Sequence, residues 1–128
     1  MTPDAALNPA VMKNTGYDLA KDFAPISLTV VLPNLLVAHP SLAARNVKEL
    51  VDLAKASPGK LNVASPGVGT PNHLGAVLLQ SMSGIDMIHV PFKGGGDVAV
   101  QLVGKHIDTT VNNPIEAASH WKAGTLRA

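Results

Sequence analysis

The sequence predicts an α/β domain in which a mostly parallel, open sheet carries helices on both faces. Beyond residue 27, short uncharged apolar runs alternate with stretches whose apolar residues recur at helical spacing. Proline or glycine stands near most boundaries between them, and 128 residues are enough for one compact domain. Strands that alternate with helices imply right-handed crossovers between parallel strands.

The start of the chain, residues 1–26, lacks clear periodicity and is predicted to be a lead-in segment. Prolines and a glycine interrupt it, so we expect at most a short helix around residues 10–13. Residues 24–44 carry no formal charge, but prolines interrupt this run too often for a membrane helix. The run is predicted to form strands, one of them near residues 27–31, and residues 27–128 are predicted to form the domain.

The first strand and helix of the domain are marked by prolines and by a helix cap. Leu35–Ala38 is uncharged and lies between two prolines, which predicts a strand buried on both faces. Asn46 can cap the following helix, with Glu49 at the third helical position to complete a capping box. The helix is expected to end at residues 57–59, a Ser-Pro-Gly turn. Its recurrent apolar residues are Val47, Leu50, Val51 and Ala54.

The second unit repeats this arrangement without repeating the sequence. Leu61–Ser65 is predicted to be a strand, and residues 66–71 form the loop that follows it. A helix then runs to Gly84, which marks its end. Its apolar residues that share one face are Leu74, Val77, Leu78 and Met82.

The third unit contains a glycine-rich loop between its strand and its helix. Met87–Val90 is predicted to be the strand, and residues 91–96 hold three consecutive glycines. We expect Asp97 to open the helix and Gly104 to close it. Ile107–Val111 is predicted to be a fourth and weaker strand.

The last predicted helix has signals at both ends. Asn113 is expected to cap it, and Pro114 occupies the first helical position, where its missing N–H has no consequence. Glu116 is expected to act as the acid of a capping box, and Gly124 follows the last turn. Four strands therefore alternate with four helices.

The composition excludes several classes of function. The chain has ten Lys and Arg against nine Asp and Glu and few aromatic residues, so it offers no basic surface for nucleic acid. It has no cysteine, which rules out disulfides, thiolate metal sites and thiol nucleophiles. Charged residues make up 15% of the chain, below the roughly 25% typical of soluble domains. Part of the surface is therefore expected to be covered by other protein.

No motif of the sequence indicates catalysis, a metal or a cofactor. The five histidines lack metal-binding spacing, and His89, in an apolar strand, is interpreted as a core residue. Ser65 has no partner histidine at a recognisable spacing, and no nucleophile elbow is present. Gly67 and Gly69 resemble half of a dinucleotide fingerprint, but Asn72 stands at the third glycine position.

The loops between strands and helices are the candidate binding site, because open α/β sheets bind ligands at the carboxyl ends of their strands. These loops are rich in glycine, Ser, Thr and Asn, which supply neutral donors beside helix N-termini. Several helix N-termini at one edge of the sheet would hold an anion without a cluster of Lys or Arg side chains.

Two blocks of the sequence resemble a known family most strongly. The first is Tyr17-Asp18 together with Lys21–Pro25. The second is His89–Gly94, with the sequence His-Val-Pro-Phe-Lys-Gly. Further blocks are Leu36–Ser41, Val47–Leu50, Pro58–Asn62, Ala64-Ser65 with Gly67 and Gly69, and His73-Leu74. Together, from about residue 8 to residue 128, they closely resemble the substrate-binding proteins of tripartite tricarboxylate transporters, the Bug family.

The resemblance implies a periplasmic binding protein with two lobes, the type II Venus-flytrap fold, no enzymatic activity and no cofactor or metal. Such a protein delivers a small carboxylate, such as a dicarboxylate, a tricarboxylate or an acidic amino acid, to membrane permease subunits. Family members are much longer than this chain. Residues 27–128 would therefore be most of the second lobe and residues 1–26 a remnant of the first lobe and crossover. These residues contain no secretory signal, and the chain would continue beyond Ala128.

The resemblance also transfers three ligand loops to this sequence. The implied ligand-binding residues are Ser65, Gly67, Val68, Gly69, Thr70 and His73 in the first, Lys93, Gly94 and Gly95 in the second, and Asn112 and Asn113 in the third. The family commonly has a small residue where Pro66 stands, Ser or Thr near Pro71, and Asp where Asn112 stands. These departures leave the identity of the carboxylate open.

Two other functions remain open from the sequence. One is a flavodoxin-like nucleotide binder, for which Phe92 is the only aromatic residue in the loops. The other is a fragment without a ligand that associates with itself through its exposed interdomain surface and the unpaired strand near residues 27–31.

Overall fold

The computed structural model describes residues 3–128, and its helices and strands alternate from β1 onward. Within those residues the helices are Pro3–Val11 (α1), Leu19–Asp22 (α2), Val47–Ala56 (α3), Pro71–Ser83 (α4), Gly95–Val103 (α5) and Pro114–Lys122 (α6). The strands are Leu35–Ala38 (β1), Asn62–Ser65 (β2), Ile88–Pro91 (β3) and Thr109–Asn112 (β4). The bounds of β1 are as predicted, and those of the other strands differ from prediction by one or two residues.

The sheet has the strand order β1-β4-β2-β3 and is mostly parallel. Strand β2 pairs in parallel with β3 and with β4, whereas β1 is antiparallel to β4, with Leu35 opposite Asn112. The prediction of a mostly parallel sheet is therefore confirmed, and β1 is its one antiparallel strand among the described residues. Ala38 also forms an antiparallel bridge with Arg127, in which each backbone N–H donates to the other residue's carbonyl, at 2.8 and 2.9 Å.

Helices cover both faces of the sheet, as predicted, and each face has its own apolar core. Consecutive residues of β2 belong to different cores, because neighbouring side chains of a strand point to opposite faces. One core packs against α5 and α6, and the other packs against α3 and α4. The buried residues of the first are Val37, Ala64, Val98, Leu102, Ile107, Ala117 and Leu126. Those of the second are Ala54, Val63, Ala76, Ile85, Met87 and Val111.

Helix α3 begins at the predicted cap. Asn46 Oδ1 accepts a hydrogen bond from the backbone N–H of Glu49 at 2.9 Å. The Glu49 carboxylate accepts from the N–H of Arg45 at 2.8 Å, one residue before the N–H that a capping box would use. The cap at Asn46 is thus confirmed, with a small change in the partner of Glu49.

Helix α4 buries a different face from the one its apolar pattern suggests. Val77, Leu78 and Met82 are exposed, whereas Asn72 and Ala76 are buried. The reason is a close approach of α4 to the sheet, since a Cβ at Gly75 would lie 3.3 Å from Val111 Cγ1. Small residues face the sheet at this distance, and Val77, Leu78 and Met82 point outward.

The N-terminal part of the chain departs from two expectations. The helix expected around residues 10–13 is α1, which occupies residues 3–11, with Pro3 in its first turn and Pro9 inside it. The strand expected near residues 27–31 is absent from the structure, and that stretch is exposed. Within residues 3–128, no helix has both the length and the apolarity that a membrane crossing needs.

Helices α5 and α6 also begin differently from the prediction. Helix α5 begins at Gly95, so Asp97 lies in its first turn and does not open it. Asn113 stands at the N-cap of α6 but makes no side-chain cap. Its N–H donates instead to Asn112 Oδ1 at 2.8 Å, so Glu116 does not form the predicted capping box.

Candidate functional site

One edge of the sheet gathers the candidate residues. The carboxyl ends of β2, β3 and β4 lie at this edge, because these strands are parallel. The antiparallel direction of β1 brings its start to the same edge, so Asn34 joins the site while the loop after β1 lies at the opposite edge. The loops that precede α4, α5 and α6 open here.

The loop between β2 and α4 has a fixed shape. The hydroxyls of Ser65 and Thr70 both donate to the carbonyl of Gly67, at 3.0 and 2.8 Å. Thr70 also caps α4 by accepting from the N–H of His73 at 3.3 Å. Gly69 has φ +80°, and a Cβ there would lie 3.2 Å from a methyl of Val11. Both its left-handed conformation and this neighbour favour glycine.

Beneath this loop, Ser65 and two histidines form a cluster. Ser65 Oγ lies 2.7 Å from His89 Nε2, and the rings of His73 and His89 stack with 4.1 Å between centroids. The N–H of Gly69 donates to His73 Nδ1 at 3.1 Å. Burial lowers the pKa of His89 below its ordinary value, and the adjacent His73 ring adds to that shift.

The cluster gives Ser65 a histidine partner, although the sequence shows none at a recognisable spacing. The partner lies on the neighbouring strand, where no spacing along the chain could reveal it. Ser65 is fully buried, and among the described side chains no carboxylate hydrogen-bonds to either ring. The serine hydroxyl is therefore placed to support the loop and cannot reach a bound molecule.

A cleft of about 1390 Å³ lies between this edge and the exposed stretch 19–32. Four of the predicted site residues line it: Thr70, Gly94, Gly95 and Asn113. Residues that the sequence analysis did not assign to the site also line it, namely Asn34, Pro66, Pro71, Asn72 and Glu116. Asn72 Nδ2 donates to Asn34 Oδ1 at 3.3 Å, which joins the start of α4 to the start of β1.

The other predicted site residues do not line the cleft. Ser65, Gly69 and Asn112 are buried behind it, and Val68 and Lys93 are exposed beside it. Gly67, in the loop, and His73, in the first turn of α4, are half-buried. These residues hold or flank the loops whose other members face the cleft.

The cleft is poor in charge and contains donors from helix N-termini. Of the described residues that line it, Glu116 alone is charged. Gly94, at the N-cap of α5, supplies no side-chain cap, so N–H groups of the first turn remain available to an anion. In residues 3–128, no group of three His, Asp or Glu side chains is arranged to hold a metal ion.

Comparisons with known proteins show the family to which the chain is similar. The family described as tripartite tricarboxylate transporter family receptor matches residues 1–128. The Rhodopseudomonas palustris protein Rpa4515, solved with adipate, is 30% identical over 90% of this chain, with a TM-score of 0.82. MatC from the same organism, solved with malate, is 26% identical over 95% of this chain, with a TM-score of 0.83. The periplasmic binding protein BugD is 25% identical over 76% of this chain, with a TM-score of 0.71.

This chain spans only part of each relative. It covers 38% of Rpa4515, 42% of MatC and 32% of BugD. It covers between 33% and 38% of the first three curated relatives, from Pseudomonas and Bordetella. The match corresponds to one lobe of a periplasmic binding protein. By its sequence and its fold, the chain belongs to the tripartite tricarboxylate transporter receptor family.

Proposed function

We propose that this chain binds a small organic carboxylate in the cleft between the sheet edge and residues 19–32. The observation that supports this most is that the N-termini of α4, α5 and α6 all open on one cleft, through Thr70, Gly94 and Asn113. Backbone N–H groups at helix N-termini favour anions, and α5 has no side-chain cap to compete for them. A carboxylate is an anion of the right size for such a site.

Two roles are proposed for the site residues. Thr70, Gly94, Gly95 and Asn113 would contact the ligand, together with the amides of Asn34 and Asn72. Ser65, Gly67, Gly69, His73 and Asn112 would hold the loops in shape, and Val68 and Lys93 would flank the entrance. The resemblance implies that all the named residues of the three loops contact the ligand. For Ser65 and Asn112 this would require that their buried side chains become exposed.

For the whole protein, we propose a receptor in the periplasm that delivers its carboxylate to permease subunits and catalyses no reaction. Residues 27–128 would form most of the second lobe, and residues 1–26 would lead into it. A single lobe contacts its ligand from one side, so we expect weak binding by this chain, with a Kd of roughly 1 mM.

Titration of the ¹⁵N-labelled chain with adipate, followed by NMR, tests this proposal. We expect saturable shifts of the Gly94–Gly96 amides and of Thr70, and none with 1,6-hexanediol, which has the same carbon chain without carboxylates. A titration that leaves the amides at this edge unmoved would reject carboxylate binding by the chain.

A variant pair locates the site. Asn113→Ala removes an amide that lines the cleft and makes no cap, so adipate affinity should fall by about fivefold, the value of one hydrogen bond. Asn14→Ala removes an exposed amide far from the loops along the chain and should leave the affinity unchanged. Equal affinities for both variants would place the ligand elsewhere.

A further inference from the structure

The two stacked histidines beneath the β2–α4 loop, residues 66–70, make different kinds of hydrogen bond. The backbone N–H of Gly69 donates to His73 Nδ1 at 3.1 Å. A ring nitrogen that accepts a hydrogen bond carries no proton, so this bond requires a neutral His73 with its proton on Nε2. A second proton on this ring would go to Nδ1, the atom that binds Gly69.

His89 binds the loop with the opposite polarity. Ser65 Oγ donates its hydrogen to the carbonyl of Gly67 at 3.0 Å, so it accepts from His89 Nε2, which lies 2.7 Å away. A second proton on His89 would go to Nδ1 and leave the bond to Ser65 intact. Of the two rings, His73 is therefore the one whose protonation breaks a contact with the loop.

The two rings also repel each other when both are charged. Their centroids are 4.1 Å apart, so the pair takes up a second proton less readily than the first. Burial, and then the charge of His73, lower the pKa of His89. This difference favours His73 for the first proton that the pair takes up in acid.

Few other charged groups lie near the pair. Strands β2 and β3, the β2–α4 loop and α4 contain no titratable residue besides the two histidines. Lys93, in the loop after β3, and Asp97, in the first turn of α5, are both exposed. Asp4 is the only titratable residue of α1 and lies two turns before Val11, which contacts the loop. The two rings are thus the groups that decide how this cluster responds to pH.

Protonation of His73 would leave Gly69 without its partner. The ring would then present an N–H to the N–H of Gly69, and two donors form no hydrogen bond. Gly69 is buried beside a methyl group of Val11, so its N–H reaches water only if the loop moves away from α1. The moved loop leaves Nδ1 free to bind a proton, and acid therefore favours it.

We propose that His73 is a pH-sensitive latch for the β2–α4 loop: the neutral ring holds Gly69, and the protonated ring releases it. The loop includes Thr70, so its release changes one wall of the cleft. This inference goes beyond the proposed function, because it concerns the chain without ligand and does not depend on carboxylate binding.

NMR of the ¹⁵N-labelled chain between pH 8 and pH 5 tests the latch. At pH 8 the ring nitrogen shifts of His73 should show its proton on Nε2. As the ring takes up its second proton, the Gly69 amide signal should move with the same midpoint. Its protection against hydrogen exchange, corrected for the intrinsic effect of pH, should fall about fivefold, the value of one hydrogen bond. The amide of Ala76, inside α4, serves as an internal reference and should keep its protection.

Three variants separate the roles of the two rings. His73→Asn keeps an acceptor near the position of Nδ1 and does not titrate, so Gly69 should stay protected at both pH values. His73→Ala has no acceptor, so Gly69 should be about fivefold less protected at both. His89→Gln is the matched control, because it removes the other titrating ring and keeps a donor for Ser65, and the pH response of Gly69 should persist in it. A thermal melt at pH 8 checks that each variant is folded.

Several results would overturn the inference. One is a Gly69 amide that stays the same from pH 8 to pH 5, or that still responds to pH in His73→Asn. Another is a proton on His73 Nδ1 at pH 8, since the bond from Gly69 could not then form. Loss of the response in His89→Gln would assign it to His89 instead. All of these measurements are made without ligand, so the titration with adipate decides carboxylate binding separately.

Discussion

The hydroxyl of Tyr17 donates a hydrogen bond to the carbonyl oxygen of Ala5 at 2.8 Å. In an α-helix that carbonyl would accept from the N–H of residue 9, but residue 9 is proline and has no N–H. Tyr17 therefore supplies the donor that Pro9 lacks, from a position outside the helix. This contact explains how α1 tolerates a proline in its interior.

Tyr17→Phe should lower the free energy of unfolding by about 1 kcal/mol, the net value of one hydrogen bond. The ring would remain, together with its edge-to-face contact with Phe23 at 5.9 Å between centroids. Urea unfolding measures the change. In a Pro9→Ala background residue 9 regains its N–H, so the same substitution should cost less. An equal cost in both backgrounds would contradict the explanation.

Gly95→Ala should give a free energy of unfolding about 1 kcal/mol below that of Gly96→Ala, because its Cβ would push aside the Glu116 carboxyl group, the flexible end of a side chain. Gly96→Ala is the matched control, since a Cβ there meets no atom within 4 Å and the residue is helical. Alanine at 96 should leave stability unchanged or raise it by up to about 1 kcal/mol. Thermal unfolding of the two variants gives the comparison.

Removal of the Glu116 side chain provides a second check on this contact. If the overlap causes the loss, Gly95→Ala should cost clearly less in a Glu116→Ala background. A loss that is the same with and without Glu116 would mean that the backbone of α5 requires glycine for another reason.

Much of the fold could be predicted from local signals. The cap at Asn46 and the turn at Gly84 depend on neighbouring residues only, and both are confirmed. The direction of β1 could not be predicted, because it is set by pairing with β4, more than seventy residues away. The buried face of α4 was missed because periodicity finds the larger apolar residues, whereas a close helix–sheet approach selects Ala76 and its small neighbours.

The sequence predicted at which edge of the sheet the candidate site lies. It did not predict all of the residues that line the cleft there. Thr70, Gly94 and Gly95 line the cleft because a loop after a parallel strand must open at that edge. Asn34 was missed because its inclusion depends on the direction of β1. Glu116 was interpreted as a capping acid, and only the three-dimensional contact between α5 and α6 shows that it faces the cleft.

The free energy of unfolding should decrease as the solution becomes more acidic than neutral, because the pKa of His89 is lower in the folded chain than in the unfolded chain. Burial of the His89 ring and the neighbouring His73 cause this difference. The pKa of His39 is also lowered, by desolvation and by the charge of Lys105. As pH falls through about 6.5, the unfolded chain takes up protons first and is favoured. Urea unfolding at pH 8 and pH 5 measures the loss.

His89→Gln should reduce this pH dependence, since glutamine retains a donor for Ser65 without titrating. His106→Gln changes an exposed histidine and serves as the control. A pH dependence that stays the same in His89→Gln would show that other groups cause the loss of stability.

The stretch 26–32 should make the isolated chain associate with itself at high concentration. Ile26 is 99% exposed and Leu28 is 81% exposed, and burial of each such side chain is worth about 1.5–3 kcal/mol. Light scattering over a range of protein concentrations should show particles larger than a monomer. Ile26→Ser with Leu28→Ser should restore the monomer, whereas Val100→Ser, at an exposed position of α5, should not. A chain that stays monomeric at millimolar concentration would contradict this prediction, and the exposed stretch would then be tolerated in water without a partner.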